Sequence, residues 1–326
     1  MRNVLVTVPV NETHKKMLQE TAPGADIVYK AADEVSEADL ANAEILFGNV
    51  EPALIPAAKK LKLLQLFTAG TDGYLPVLPE GCYLANTTGA FGLAIGEHML
   101  AMLFALMKRL HQYRDNQKKC EWKDMGTVAS LEGATVVVLG LGDIGGAFAR
   151  KCKALGAYTI GVRRTDANKP GYIDELVLAS ALDAVLPRAD VLALALPGTP
   201  ETAHILDRRR IGLLANGAIV LNVGRGSAID QEALADAIEL RNLRAGLDVT
   251  DPEPLPPEHR LWTLENCLIT PHVSGFFHLQ ATHDRMVMIA CENISRYLAG
   301  KPLVNLINPE TGYRLDKYDG GKDAIK

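Results

Sequence analysis

The chain has 326 residues, of which 48% are hydrophobic and 22% charged, as in globular proteins large enough for two domains. Its net charge of −5 argues against a nucleic-acid partner, because nucleic-acid-binding surfaces are normally basic. The five scattered cysteines form no Cys-X-X-Cys pair and no apolar run is long enough to span a membrane, so we expect no disulfide framework, no metal site and no membrane segment.

Strand-like and helix-like segments alternate from the beginning of the chain, which is the pattern of an α/β protein. Residues 3–8 read as a strand rather than as a signal peptide, so we expect a cytoplasmic protein. Further strands are predicted at 27–29, 45–47 and 63–67. Helices are predicted at 13–20 and, behind a Ser36 cap, at 36–42.

Residues 92–113 predict one long helix that is apolar over much of its circumference. We expect it to bridge two domains and to form a subunit contact in a homodimer, although a core helix would have the same pattern. Buried strands are predicted at 191–196, 218–222, 245–249 and 267–270, and a final helix at 287–298 is expected to return to the first domain.

The predicted architecture is therefore α/β, with two Rossmann-like or flavodoxin-like domains that have parallel sheets and a cleft between them. A discontinuous substrate domain, 1–98 and 288–326, would surround a dinucleotide-binding domain, 99–287. Both parts are of ordinary domain size.

The most specific motif is a run of four apolar residues followed by Gly140, Gly142 and Gly145 at Gly-X-Gly-X-X-Gly spacing, and then by a helix-like segment. In this strand–turn–helix context Gly140 permits a tight turn, Gly142 lets a pyrophosphate approach the backbone, and Gly145 lets the helix pack against the strand. The helix N-terminus, with Asp143 and Ile144, offers N–H groups to a phosphate. The motif predicts a dinucleotide site.

The next predicted strand, 158–162, is followed by Arg163, Arg164 and Thr165, where an NAD site usually carries an acidic residue. Two guanidinium groups and a hydroxyl suit a 2′-phosphate, because arginine offers bidentate hydrogen bonds to phosphate oxygens. We therefore predict that NADP is preferred over NAD. A solvated basic loop is the alternative interpretation.

Arg225, Glu253 and His272 each follow a predicted strand, and the carboxyl ends of strands in open α/β sheets are where ligands bind. His272 could protonate a carbonyl oxygen during hydride transfer, Glu253 could orient the imidazole, and Arg225 could bind a carboxylate and polarise the carbonyl. Taken singly, each residue is better explained by capping, packing or surface ion pairing. Their convergence favours reduction of a 2-keto acid.

These motifs resemble the D-isomer-specific 2-hydroxyacid dehydrogenases over almost the whole chain. The resemblance rests on the segments 67–72, 96–98, 140–145, 196–202, 222–230, 248–255 and 270–272. It implies an NAD(P)-dependent oxidoreductase of small 2-keto or 2-hydroxy acids, with Arg225, Glu253 and His272 as the catalytic trio. Arg163 in place of an acidic residue resembles the NADP-using glyoxylate and hydroxypyruvate reductases.

The resemblance also assigns ligand contacts. The backbone N–H groups of Ala69, Gly70 and Thr71 would bind the substrate carboxylate, and Asp248 would lie near the nicotinamide amide. The remaining cofactor contacts that it implies are Leu196, Pro197, Thr202, Val223, Gly224, His272, Ser274 and Gly275.

Two alternative functions fit the same residues. One is an NAD(P)-sensing protein of the corepressor type, which would report cofactor level through dimerisation and would need a large exposed peptide groove in the first domain. The other is a reductase of a bulkier sugar acid or aromatic keto acid, since first-domain loops set the shape of the pocket. Phe276 and Phe277 either wall such a pocket or pack in a core.

Overall fold

The computed structural model describes residues 2–165, 168–310, 312 and 314–315. The chain divides into two compact units: the first combines Met1–Ala90 with Phe277–Lys326, and the second is Phe91–Phe276. Each unit is built on a parallel β-sheet, so the predicted α/β architecture of two parallel-sheet domains is confirmed. No helix among the described residues is long and apolar enough to cross a bilayer.

All strand pairings within the two sheets are parallel. The strands are β1 (Asn3–Val6), β2 (Asp26–Tyr29), β3 (Ile45–Phe47), β4 (Leu63–Gln65), β5 (Tyr83–Ala85), β6 (Thr135–Leu139), β7 (Tyr158–Arg163), β8 (Glu175–Leu178), β9 (Val191–Leu194), β10 (Ile219–Asn222), β11 (Arg244–Leu247) and β12 (Cys267–Ile269). The first unit has the order β2-β1-β3-β4-β5, and the second has β12-β11-β10-β9-β6-β7-β8.

The α-helices connect these strands and cover the sheets. They are α1 (Glu12–Thr21), α2 (Glu37–Asn42), α3 (Gly92–Met107), α4 (Leu110–Lys118), α5 (Asp143–Ala154), α6 (Leu182–Val185), α7 (Arg208–Leu213), α8 (Gln231–Arg241) and α9 (Gln280–Leu298). The predicted cap of α2 is present, since the Ser36 side chain accepts from the Asp39 amide and the Asp39 carboxylate accepts from the Ser36 amide. This reciprocal pairing satisfies two N–H groups at the helix end.

The inner strands β1, β3 and β4 of the first unit's sheet are buried on both faces. Along β1, Val4 and Val6 pack in one apolar cluster and Leu5 in another, because successive strand residues point to opposite faces. Along β3, Ile45 and Leu46 divide in the same way. Burial on both faces explains why these strands appear in the sequence as continuous apolar runs.

Several elements of the structure differ from the sequence prediction. The predicted helix 92–113 is two helices, because Arg109 has a left-handed backbone conformation (φ 57°) that ends the regular helix between α3 and α4. The final helix begins at Gln280 rather than at residue 287. The prediction started too late because the first turns bury the polar residues Thr282 and His283 and so show no apolar stripe in the sequence. The strands β5 and β8 were not predicted: β5 has only three residues and begins with the exposed Tyr83, and β8 begins with the charged Glu175.

Candidate active site

The turn between β6 and α5 has the geometry of a phosphate-binding turn. Gly140 has φ 89°, and a Cβ atom there would lie 2.6 Å from the Ala195 carbonyl oxygen. A Cβ atom at Gly145 would lie 1.9 Å from the Gly140 oxygen, so this helix residue must be glycine for α5 to pack on the strand end. At Gly142 a Cβ atom would meet nothing within 4 Å, which leaves space before the helix N-terminus. A dinucleotide pyrophosphate fits these features.

The carboxylate of Asp143, the first residue of α5, faces the protein. It accepts hydrogen bonds from the amides of Phe91 (3.1 Å) and Gly92 (2.9 Å) at the start of α3. A Cβ atom at Gly92 would lie 2.5 Å from Asp143 Oδ1, so this glycine permits the contact. The carboxylate therefore caps α3, and a cofactor contact by Asp143 would use its backbone N–H group.

The basic residues at the end of β7 and directly after it lie beside the glycine turn, because β6 and β7 are neighbours in the sheet. Arg163 is half-buried and its guanidinium lies 3.5 Å from the Asn168 carbonyl oxygen, whereas Arg164 and Thr165 are exposed. A hydrogen bond from Thr199 and, to a smaller extent, the charge of Arg164 lower the pKa of Glu201. Arg164 is therefore close enough to the loop after β9 to act on a carboxylate there.

A threonine holds the loop after β9 in shape. The hydroxyl of Thr202 donates to the Pro197 carbonyl (2.7 Å) and accepts from the Thr199 amide (2.9 Å). The loop is in close contact with the segment after β10, since a Cβ atom at Gly224 would lie 2.5 Å from the Leu196 oxygen. Thr202 thus fixes the backbone of this loop.

Arg225 stands on a segment that is fixed from both sides. The buried Asn222 accepts from the Gly224 amide (3.0 Å) and donates to the Arg225 carbonyl (2.9 Å). A Cβ atom at Gly226 would lie only 1.9 Å from the Thr250 carbonyl. The arginine, which is half-buried, is therefore held against the loop after β11. Sequence reasoning did not single out Asn222 or the requirement for glycine at 226.

His272 and Glu253 are brought together although 19 residues separate them. The imidazole Nδ1 lies 2.8 Å from Glu253 Oε2, and the second carboxylate oxygen accepts from the Thr250 amide (3.0 Å). His272 has φ 52°, and its amide donates to the carbonyls of Asp248 (2.8 Å) and Thr270 (3.0 Å). Both side chains remain partly exposed, at 49% and 39%. The imidazole is therefore oriented at one nitrogen and accessible to a ligand.

Asp248 is 1% exposed and organises the segment that carries His272. One oxygen accepts from Thr270 Oγ1 (2.5 Å), and the other accepts from the amide (3.1 Å) and hydroxyl (2.5 Å) of Ser274. His98 Nε2 lies 3.0 Å from Thr270 Oγ1 and 3.8 Å from the carboxylate. Asp248 thus holds the backbone on both sides of His272 through hydrogen bonds to Thr270 and Ser274.

The other residues predicted to contact the cofactor lie at the same end of this sheet. Val223 and Ser274 are buried, Ile144 is half-buried in the first turn of α5, and a Cβ atom at Gly275 would lie 3.1 Å from Ile95. None of these four positions offers an exposed polar side chain. A contribution from them to cofactor binding would come from the backbone or from apolar contact.

In the first unit, residues 67–71 follow β4 and form a loop that we call the anion loop. Its last three residues, Ala69, Gly70 and Thr71, are half-buried, and among the described residues their N–H groups have no acceptor. The Thr71 carbonyl accepts from the Tyr74 amide (3.2 Å), and the Tyr74 hydroxyl donates to the Val50 carbonyl (2.7 Å). Burial raises the pKa of Tyr74 to about 12, so this hydroxyl keeps its proton further into the alkaline range than a free tyrosine does.

The two adjacent phenylalanines separate between the units. Phe277 packs in the first unit, with its ring centroid 5.1 Å from Phe67 and 5.0 Å from His283. Phe276 ends the second unit and is 45% exposed. Core packing therefore describes Phe277.

Comparison with known proteins decides the family. The family model described as D-isomer specific 2-hydroxyacid dehydrogenase, NAD binding domain, matches residues 100–274, more than half of the chain. The chain belongs to the D-isomer specific 2-hydroxyacid dehydrogenase family. It is a NAD(P)-dependent oxidoreductase of 2-hydroxy acids, so the predicted family and enzyme class are confirmed.

Three relatives illustrate the similarity. The glyoxylate reductase of Korarchaeum cryptofilum is 29% identical over 302 residues, which are 89% of this chain and 88% of the relative. A D-isomer specific 2-hydroxyacid dehydrogenase family protein from Aeromonas salmonicida is 32% identical, with a TM-score of 0.83 over 94% of this chain and 99% of that one. The NADPH-dependent glyoxylate/hydroxypyruvate reductase of Sinorhizobium meliloti, solved with NADP and sulfate, is 25% identical. Its TM-score is 0.81, over 96% of this chain and 100% of that one.

The close approach at Gly226 provides a test in this dehydrogenase. We expect Gly226→Ala to lower the free energy of unfolding by about 2 kcal/mol, because the added Cβ forces the Arg225 segment away from Thr250. We expect kcat/KM to fall by about 10²-fold, the cost of displacing a positioned group by about 1 Å. Thermal denaturation and steady-state kinetics measure the two effects.

Gly212→Ala is the matched control. Gly212 lies in α7, a Cβ atom there would meet nothing within 4 Å, and alanine favours a helix by up to about 1 kcal/mol. This variant should keep full activity and equal or higher stability. Full activity in the Gly226 variant would show that the packing of the two loops does not position Arg225.

Proposed function

We propose that this protein is an NADP-preferring D-2-hydroxyacid dehydrogenase that acts mainly as a 2-keto acid reductase, with His272 as the general acid. The observation that carries the proposal is the 2.8 Å contact between His272 Nδ1 and Glu253, at the carboxyl end of the sheet that bears the dinucleotide turn. Because Nδ1 donates to the carboxylate, Nε2 is the nitrogen that can exchange a proton with a substrate.

The residues divide the chemistry between them. The reduced nicotinamide, when bound, supplies a hydride to C2 of the keto acid. Negative charge then develops on the carbonyl oxygen, and His272 donates its Nε2 proton to that oxygen. The imidazole becomes neutral. It keeps the proton on Nδ1, which remains hydrogen-bonded to the Glu253 carboxylate. Arg225 polarises the carbonyl and attracts the substrate carboxylate, and the reverse reaction returns the proton to Nε2.

Arg163, Arg164 and Thr165 are proposed to bind the adenosine 2′-phosphate. Their support is their position beside the glycine turn, together with two arginines where an NAD site carries an acidic residue. The relative from Sinorhizobium meliloti, which is NADPH-dependent and was solved with NADP, is consistent with this choice. We propose that Gly140, Gly142 and Gly145 admit the pyrophosphate.

The discontinuous unit is proposed as the substrate domain, with the N–H groups of Ala69, Gly70 and Thr71 binding the substrate carboxylate. Three successive N–H groups without an acceptor among the described residues suit an anion. We propose a small 2-keto acid as the substrate, since relatives named glyoxylate reductase and glyoxylate/hydroxypyruvate reductase align over most of the chain.

The direct test is oxidation of NADPH, and in parallel of NADH, with a panel of acids from glyoxylate to phenylpyruvate. We expect rapid NADPH oxidation with at least one small acid and slower NADH oxidation. Tight NADPH binding without turnover on any acid would contradict the proposal and favour a cofactor sensor. Turnover limited to phenylpyruvate would favour a reductase of bulky substrates.

We also propose that the enzyme is a homodimer. Trp122 is wholly exposed, and Leu110 and Val128 in the same unit are 55% and 47% exposed. Three large exposed apolar side chains within one stretch of the chain, 110–128, support an interaction surface there, and a tryptophan that buries about 200 Å² gains several kcal/mol.

Trp122→Asp should raise the dimer dissociation constant by about 100-fold or more, because an interfacial tryptophan is commonly a hot spot. Light scattering after size exclusion measures the mass. Leu240→Asp is the control, since Leu240 is 82% exposed on α8, outside the Leu110–Val128 stretch. A wild-type mass of one chain, or a Trp122 variant with the wild-type mass, would contradict this surface.

A further inference from the structure

The anion loop is held by hydrogen bonds to its carbonyl groups. The Thr87 hydroxyl donates to the Phe67 carbonyl (2.5 Å), and the Thr87 amide donates to the Thr68 carbonyl (3.1 Å). The next carbonyl, that of Ala69, accepts from Asn86 Nδ2 (2.7 Å). Three successive carbonyl groups are therefore turned towards the segment that follows β5.

This arrangement determines where the amide groups of the loop point. A peptide bond is planar and trans, so the carbonyl of one residue and the N–H of the next point in opposite directions. The N–H groups of Thr68, Ala69 and Gly70 are thus directed away from Asn86 and Thr87. Among the residues that the structure describes, no acceptor meets them there. Such a row of N–H groups forms an anion-binding site.

We propose that Asn86 is a positioning residue for substrate binding, which acts by fixing the Ala69–Gly70 peptide so that its N–H faces the substrate carboxylate. The inference rests on the proposed function of the loop. Asn86 is suited to this task because it is itself immobilised: it is 4% exposed and its Oδ1 accepts from the Thr88 amide (3.1 Å). Asn305 donates to the Thr88 carbonyl (2.7 Å), which holds the same strand end.

Asn49 secures the start of the loop from β3. Its Oδ1 accepts from the Phe67 amide (3.1 Å), and its Nδ2 donates to the Thr68 hydroxyl (3.1 Å). The same hydroxyl donates to the Gly70 carbonyl (2.8 Å). Because the peptide is planar and trans, the Thr71 N–H then points away from the Thr68 hydroxyl. Asn49 thus fixes the start of the loop and, through the Thr68 hydroxyl, the Gly70–Thr71 peptide, whereas Asn86 fixes the Ala69–Gly70 peptide between them.

Asn86→Ala tests the proposal on the best acid of the substrate panel and on its methyl ester. The variant leaves the Ala69 carbonyl without its donor, so the peptide can rotate. We expect KM for the acid to rise about tenfold or more while kcat changes less, because binding in the ground state and the transition state weakens together. We expect the ester, which lacks the carboxylate, to show no added penalty, and the Kd for NADPH to stay within about twofold.

Two further variants make the result specific. Asn49→Ala, at a half-buried position, should also raise KM for the acid but not for the ester. It replaces the Asn86 variant as the test if that variant does not fold. Asn293→Ala is the matched control, since Asn293 is buried in the same unit and donates to Gln65 (2.6 Å) and the Val304 carbonyl (2.9 Å), neither of which belongs to the anion loop. It should lower the melting temperature without changing KM.

The outcomes separate the two levels of the proposal. An active wild type whose Asn86 and Asn49 variants keep the wild-type KM would overturn the positioning role and leave the proposed function intact. Equal penalties for acid and ester would also overturn it, because they indicate a general structural effect. A wild type that reduces no acid of the panel would overturn the proposed function and this inference together.

Discussion

His272→Asn should lower kcat by about 10³-fold while the Kd for NADPH stays within about twofold, since a positioned general acid contributes about 10²–10⁴-fold. Asparagine is the replacement of choice because His272 has φ 52°, and asparagine adopts this left-handed conformation more readily than most residues. The substituted amide can still donate to Glu253, so the fold of the loop is retained while the proton donor is removed. Single-turnover absorbance of NADPH measures the chemical step directly.

Glu253→Gln should have a smaller effect on the same step, about 10- to 100-fold, because it orients the imidazole rather than transferring the proton. His204→Asn is the matched control. His204 is an exposed histidine in the same left-handed region, at φ 49°, so it reports the cost of the substitution itself. Wild-type turnover by the His272 variant would remove this residue from the mechanism.

Arg163→Asp combined with Arg164→Ala should raise the Kd for NADPH by about 100-fold or more and leave the Kd for NADH within a few-fold. Charge-assisted bidentate bonds to the 2′-phosphate are lost, and the new carboxylate repels that phosphate. For NADH the same carboxylate can accept from the ribose hydroxyl. Fluorescence titration of both cofactors measures the change, and kcat/KM with each at one keto acid gives the preference.

Salt supplies a second signature of the same interaction. The advantage of NADPH over NADH in the wild type should shrink as ionic strength rises, because exposed charges are screened over about 10 Å at 0.1 M salt. Arg209→Ala is the control, since Arg209 is exposed and bonded to Asp183 (2.7 Å) away from the glycine turn. Equal losses for NADPH and NADH in the double variant would show that these arginines do not read the 2′-phosphate.

Strand positions in both sheets could be predicted because their determinants are local. The residues of β3 and β9 are apolar without interruption, as expected for strands covered on both faces. The turn at Gly140 could also be predicted from the sequence, since φ 89° is a conformation that glycine adopts without strain. The strand β8 carries a weaker signal, because it begins with the charged Glu175 and its residues are only half-buried or exposed.

The sequence by itself determined the α/β class, the dinucleotide turn and the residues Arg225, Glu253 and His272 as candidates, because each depends on short apolar runs, on glycine at special backbone angles, or on a motif with fixed spacing. Only the tertiary structure decided what each side chain contacts. It turned the Asp143 carboxylate to the start of α3 and enclosed Asp248 within the segment around His272. These partners lie between 22 and 52 residues apart, and such contacts arise from the packing of strands and helices, which no local pattern encodes.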